Sequence, residues 1–299
     1  MTVRLATRRS PLALAQAHDV ARHLGLHGVD TNIVALDTAG DRQLDTSLRD
    51  LGGRGVFAVE IQRALLDGRA DVAVHSAKDL PSTTPEGLVI AAVPEREDAR
   101  DVLVGAHLAE LEAGARVATG SPRRRALLLE RRPDLTIVEL RGNMARRLSR
   151  VGEDGVVAVI AAAAALARLG VIPETREYLD PEWFTPQVGQ GALALEVRAD
   201  DALTRSQLHA LDDPSSHRAL LAERSFLVEL GAGCSIPAGA HASVEGETVT
   251  LSGVMADVDG VRSVRGRLTG MDPVEVGRDL ARRLRDDEGG ATLAGWRPA

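Results

Sequence analysis

The sequence predicts an α/β protein with mixed, mainly parallel sheets and a small α+β domain at its C-terminal end. A short β-branched run, a polar or basic loop and a helical stretch recur in that order up to about residue 170. Val156–Ile160 is apolar throughout, as a strand covered on both faces must be. Beyond residue 240 the alternation stops, and two strand-like runs flank the turn Asp257-Val258-Asp259-Gly260.

Taken in order, Val3–Thr7 is the first strand and leads through Arg8-Arg9-Ser10 into a helix over Pro11–Leu24. Ser10 suits the N-cap and Pro11 the first helical position. Asn32–Leu36 is the next strand. Gly52-Gly53-Arg54-Gly55 precedes a helix with Phe57, Ile61, Leu65 and Leu66 on one face. Asp71–His75 is a short buried strand that stops at Ser76-Ala77-Lys78-Asp79. Val93–Arg100 reads as a hinge. Arg116–Ala118 then leads through Thr119-Gly120-Ser121 into a helix over Pro122–Arg131, with Leu127 and Leu128 inward. Leu135–Leu140 is a strand, Arg141-Gly142-Asn143 a loop and Met144–Val151 a helix. An alanine-rich helix ends at Arg168-Leu169-Gly170, and Thr185–Gly191 reads as a return crossing. The tail holds a helix over His217–Leu230, a Gly-rich loop around Cys234, the hairpin, and a helix over Pro273–Arg285.

The chain has 299 residues, enough at roughly 100–200 per domain for two or three buried cores. Its net charge of −7 argues against a non-specific nucleic-acid or membrane-surface binder. With 2% aromatic residues, a stacking platform for single strands is not expected. The one cysteine, Cys234, excludes an internal disulfide and a cysteine-based zinc cluster. The arginine-bearing N-terminal stretch lacks the apolar core of a signal peptide. No apolar run reaches the ~18 residues that span a bilayer. The expectation is a cytoplasmic, soluble protein with no metal, no nucleic acid and no membrane partner.

Ligands of open parallel sheets bind beyond the carboxyl ends of the strands. Here those ends carry Arg8, Lys78, Arg123, Arg124 and Arg141, with Arg147 in the following helix. Any one arginine reads as a solvated surface residue. Their recurrence at equivalent loops of an acidic chain points instead to a cleft for a polyanion. Ser10-Pro11 and Ser121-Pro122 add helix N-termini, whose free N–H groups bind carboxylates or phosphates. No phosphate-specific loop is present, and guanidinium forks pair well with carboxylates, so a polycarboxylate fits at least as well as a nucleotide. His75 reads as a hydrogen-bonded structural residue. Asp79, next to Lys78 where a strand opens onto the cleft, suits holding a cationic intermediate or capping the turn before Pro81. Cys234 reads as a small buried hydrophobe or as an accessible thiol.

Together these segments resemble the porphobilinogen deaminase (hydroxymethylbilane synthase) family. The matching stretches are ATRRSPLALAQA (6–17), GGRGVFAVEIQRALL (52–66), ADVAVHSAKDLP (70–81), VPEREDARDVLV (93–104), GSPRRRA (120–126), ELRGNMARRL (139–148), VGQGALALE (188–196) and GAGCSIPAG (231–239). The resemblance implies two periplasmic-binding-protein-like domains, 1–94 with 191–212 and 95–190, and a third domain, 213–299. It implies an enzyme of heme biosynthesis that joins four porphobilinogen molecules head to tail on a dipyrromethane cofactor, then releases hydroxymethylbilane by hydrolysis; a monomer is expected because no apolar interface shows in the sequence. Cys234 would hold the cofactor through a thioether, with Lys78, Asp79, Thr119, Gly120, Ser121, Arg123 and Arg124 around it. Arg8, Ser10, Arg141, Arg147, Arg168 and Gln190 would bind substrate carboxylates, and Asp79 would be the catalytic carboxylate. Asp41 matches a loop position near the site. Ala39, Asp50, Arg54, Gly120 and Ala165 depart from the family pattern.

Overall fold

Val3–Arg8 (β1) runs into a serine-capped helix, Pro11–Leu26 (α1), whose Ala13, Ala17, Val20 and Leu24 turn inward at helical spacing. That pairing starts an architecture seen here in a computed structural model that describes residues 2–37, 58–231 and 237–296. Thr31–Leu36 (β2), Val59–Leu66 (α2), Val72–Ser76 (β3) and Leu88–Ala92 (β4) follow. The chain then crosses into a second unit. Asp101–Val104 (β5), Arg116–Ala118 (β6), Pro122–Arg131 (α3), Thr136–Val138 (β7), Met144–Ser149 (α4), Val156–Ala162 (β8), Ala163–Arg168 (α5) and Arg176–Tyr178 (β9) build it. Leu193–Arg198 (β10) returns to the first unit, followed by Ala202–Leu208 (α6).

The first sheet has the order β2-β1-β3-β10-β4 and the second β7-β6-β8-β5-β9. Each holds two parallel and two antiparallel pairings, because β10 and β5 run against their neighbours. The two reversed strands are the ones delivered directly by the crossings, 93–100 into β5 and 179–192 into β10. A strand entering from the opposite lobe arrives at the carboxyl ends of the parallel strands and must run back down the sheet. The mixed character of both sheets thus follows from the double crossing.

A third unit packs Pro214–Glu229 (α7) and Pro273–Arg282 (α8) on a meander of Ala238–Glu245 (β11), Thr248–Ala256 (β12) and Ser263–Gly270 (β13). Phe226, Leu251 and Leu280 lie in its core. The core of the first unit centres on Leu5, Val72 and Leu195, and that of the second on Leu103, Leu127 and Ile160.

Several boundaries differ from expectation. The strand expected at 135–140 is only Thr136–Val138, an edge strand beside β6. The helix expected to end at Val151 ends at Ser149. The last helix gives way at Arg283 to a wider π turn over Arg283–Asp287. Ile61 and Leu65 are buried, whereas Leu66, one residue further round the helix, is half exposed. The hairpin turn 257–260 is present between β12 and β13. Phe57, the glycines 52–55, Ala39, Asp41, Asp50, Arg54 and Cys234 lie outside the described residues.

Candidate active site

At the carboxyl end of β1, Ser10 caps α1 by accepting from Ala13 N at 3.3 Å, which leaves Arg8 at the mouth of the strand. At the equivalent end of β6, Ser121 caps α3 by accepting from Arg124 N at 3.4 Å, and Thr119 Oγ1 accepts from Ser121 N at 3.2 Å. Gly120 lies so close to the β7 side that a Cβ would fall 2.4 Å from the Leu140 carbonyl oxygen. The end of β3 becomes a single 3-10 turn, Ala77–Asp79, with Lys78 lining one cavity and Asp79 another.

Two cavities meet at this turn. One is lined by Lys78, Ser121, Arg123, Gln187 and Arg224 together with Leu80, Val188, Leu227 and Ala238. The other is lined by Arg8, Ser10, Gln16, His75, Ser76 and Asp79. Arg8 Nη1 stands 4.0 Å from Asp79 Oδ2. Gln16 and Ser76 hydrogen-bond across the second cavity, Gln16 Nε2 donating to Ser76 Oγ at 2.8 Å. His75 is buried beside the same cavity, its Nε2 3.2 Å from Glu196 Oε2.

Charge is concentrated on the second-lobe side. Arg123 Nη2 donates to Asp101 Oδ2 at 2.8 Å, and Arg124 Nη2 to Asp101 Oδ1 at 2.7 Å. Arg123 Nη1 also reaches Thr185 O, and Arg124 Nη1 reaches Ile160 O. The two guanidinium groups hold the Asp101 carboxyl below the usual carboxylate range even though burial opposes this. Burial, together with Arg124 and Arg147, pushes the Lys78 ammonium down to about 8 against the opposing pull of Asp79 and Asp101. Arg147 is lowered by burial and by Arg124 and Arg8, while Asp79 raises it; its Nε donates to Gly142 O at 2.8 Å. Lys78, Asp79, Arg8, Arg124 and Arg147 therefore share one electrostatic neighbourhood.

The remaining residues singled out from sequence are dispersed. Gln190 is fully buried inside the second crossing, its Nε2 donating to Ala99 O at 2.7 Å and to Asp101 Oδ1 at 3.0 Å. Arg168 is lowered by burial and donates to Gly191 O at 2.8 Å. Arg141 lies beside Glu139 at 3.5 Å. None of Arg141, Arg147, Arg168 and Gln190 lines either cavity.

The third unit grips both crossings. Glu223 of α7 is fully buried. It accepts from Arg96 of the first crossing at 2.6 Å, from Gly189 N of the second at 2.7 Å, and from Ala242 N of β11 at 2.9 Å. Arg224, next along α7, donates to Pro81 O and Ser82 O, just beyond Asp79. At Gly239 of β11 a Cβ would fall 2.6 Å from Pro186 O and 3.0 Å from Arg123 Cδ. The segments that flank 232–236 are thereby pressed against the first cavity.

A family model described as "Porphobilinogen deaminase, dipyromethane cofactor binding domain" matches residues 3–206, and one described as "Porphobilinogen deaminase, C-terminal domain" matches 217–286. The chain belongs to the porphobilinogen deaminase family. The porphobilinogen deaminase of Geobacter sulfurreducens is 42% identical over 298 residues, 98% of this chain and 94% of that protein. That of Acidothermus cellulolyticus is 46% identical over 291 residues, 94% and 88% of the two chains. That of Roseiflexus castenholzii is 44% identical over 298 residues, 97% and 98%. Among solved structures, the chain is similar to a periplasmic substrate-binding protein of an ABC transporter from Coxiella burnetii (19% identity, TM-score 0.44, 72% of this chain and 94% of that one). It is also similar to the methionine-binding protein MetQ (14% identity, TM-score 0.45, 72% and 92%). Porphobilinogen deaminases are transferases of tetrapyrrole biosynthesis, and this chain is a member with a dipyrromethane-binding domain.

The residues present suit such a group. Arg123 lines the first cavity, and its Nε is buried with no hydrogen-bond partner among the described residues. Cationic Lys78, Arg123 and Arg224 and the Ser121 hydroxyl match carboxylate side chains, while Leu80, Val188 and Leu227 offer apolar surface to a ring.

Sequence reading missed Asp101, Glu223, Arg224 and Gln16. Asp101 stood within a matched segment, but an isolated acid next to Arg100 reads as a local pair. The Glu223-Arg224 pair on an amphipathic helix reads as solvated surface, and no spacing rule links it to Arg96.

Proposed function

We propose that this chain deaminates porphobilinogen and joins four molecules head to tail on a dipyrromethane carried by Cys234, then releases hydroxymethylbilane by hydrolysis. The observation that carries the reading is the meeting of Lys78, Asp79, Arg8, Ser10, Ser121 and Arg123 around two adjoining cavities at the carboxyl ends of both sheets. When bound, the dipyrromethane supplies the electron-rich pyrrole carbon from which the chain grows.

The protein residues divide the remaining work. Asp79, at the mouth of the second cavity, holds positive charge that develops on a substrate ring as ammonia departs, a preorganised electrostatic effect. Arg8 and Ser10 bind the acetate and propionate of the incoming ring beside it. Lys78, Ser121, Arg123 and Arg124 bind the carboxylates of the cofactor, with Thr119 and Gly120 shaping the turn that presents them. Arg141, Arg147, Arg168 and Gln190 serve later rings as the oligomer lengthens. Each added ring brings two more carboxylates, so cations outside the first two cavities have a role that grows with the chain.

On this reading 1–94 with 191–212, 95–190 and 213–299 are the three domains, and the protein is a cytoplasmic monomer of heme biosynthesis that binds no nucleic acid. Among the described residues no helix is long and apolar enough to cross a membrane. Intact-protein mass spectrometry tests the central point. Protein made in a porphobilinogen-supplied host should be heavier than its sequence by one dipyrrole, and Cys234→Ser should carry none. An unmodified wild-type mass refutes the proposal.

A further inference from the structure

Beneath the cationic wall lies a carboxylate that the proposed reaction does not use. Asp101 is fully enclosed at the start of β5, where its backbone pairs with Ala162 and its carbonyl accepts from Leu179 N. Its Oδ1 accepts from Arg124 Nε at 3.0 Å, Arg124 Nη2 at 2.7 Å and Gln190 Nε2 at 3.0 Å, and its Oδ2 accepts from Arg123 Nη2 at 2.8 Å. A carboxylate so saturated, on a strand bonded on both edges, is a fixed reference point.

We propose that Asp101 is a positioning residue that presets the Arg123 and Arg124 guanidinium groups to receive the carboxylates of the dipyrrole, and so governs loading of Cys234. This rests on the function proposed above.

Two features support it. Each guanidinium has five N–H donors in a fixed fork. Arg124 uses three of its five on Asp101 and Ile160 O, and Arg123 two on Asp101 and Thr185 O, while Arg123 Nε has no partner among the described residues. Donors therefore remain after the forks are oriented. Two buried like charges side by side also repel, and Asp101 between them supplies the counter-charge that keeps both in place before any ligand arrives.

Asp101→Asn keeps the shape and removes the charge. The variant should fold, as judged by circular dichroism, yet its dipyrrole-carrying fraction by intact mass should fall about tenfold, the effect of one charge-assisted hydrogen bond. Loading equal to wild type, with only the melting temperature lowered, overturns the proposal and leaves Asp101 a structural residue. Should the Asn variant not fold, Asp101→Glu retains the charge but displaces the forks by one methylene. Poor loading of a folded Glu variant supports the proposal, and wild-type loading overturns it. A wild-type protein without any added mass refutes the function reading itself, which separates the two failures.

Discussion

Lys78 and Asp79 stand side by side in one 3-10 turn, and burial acts on the lysine strongly enough to bring its titration to about 8. In the unfolded chain that lysine titrates in its ordinary range near 10.5. Between about 8 and that range the unfolded state binds the extra proton, so this residue makes the folded protein more stable as pH rises through the window. Binding responds in the opposite sense, because an anion site needs the ammonium. The pH profile of kcat/KM, which reports the free enzyme, should therefore fall above about pH 8, and Lys78→Arg should abolish that limb. A profile unchanged in the arginine variant would remove Lys78 from the anion site. Asp79→Ala should keep the melting temperature while lowering kcat by about 10²–10³, as loss of a preorganised electrostatic group does. Turnover within a few-fold of wild type would show that its carboxylate takes no part.

Helix starts were legible element by element, because Ser10-Pro11 and Ser121-Pro122 put cap and first turn next to each other in sequence. β10 was not. The matched segment 188–196 covers only part of Leu193–Arg198, and nothing local shows that this strand inserts between β3 and β4. The crossing before it depends on Gly191, which has φ +88° and leaves so little room that a Cβ would meet Glu97 O at 2.3 Å. Gly191→Ala should therefore cost about 1–3 kcal/mol, from backbone strain together with the clash. Thermal denaturation checks this, and a loss under half a degree would mean that the crossing relaxes freely.

Across the whole molecule, two of the ion pairs that fasten the third unit differ in character. Glu223 and Arg96 pair where both crossings meet, with Glu223 wholly enclosed. Glu130 of α3 and Arg265 of β13 pair at 2.6 Å on the surface, about one third exposed on each side. Removing one partner of a buried pair strands a charge and costs about 3–5 kcal/mol. An exposed pair contributes about 0–1 kcal/mol. Denaturant titration of Glu223→Ala and Glu130→Ala should show that ordering; equal losses would mean that the crossings are not held by Glu223.

From residue order alone came the alternation of strand and helix, the capped helix starts, the cations at strand ends, and the likeness that joined Asp79 to Cys234. All of these rest on neighbours in sequence or on a pattern of residue types. Only the folded chain decided that Asp101 sits between Arg123 and Arg124, that Glu223 meets Arg96 and Gly189, and that each sheet takes in one reversed strand. Those contacts join residues far apart along the chain, and their energies depend on burial and on charges supplied by other elements, which no local window of sequence contains.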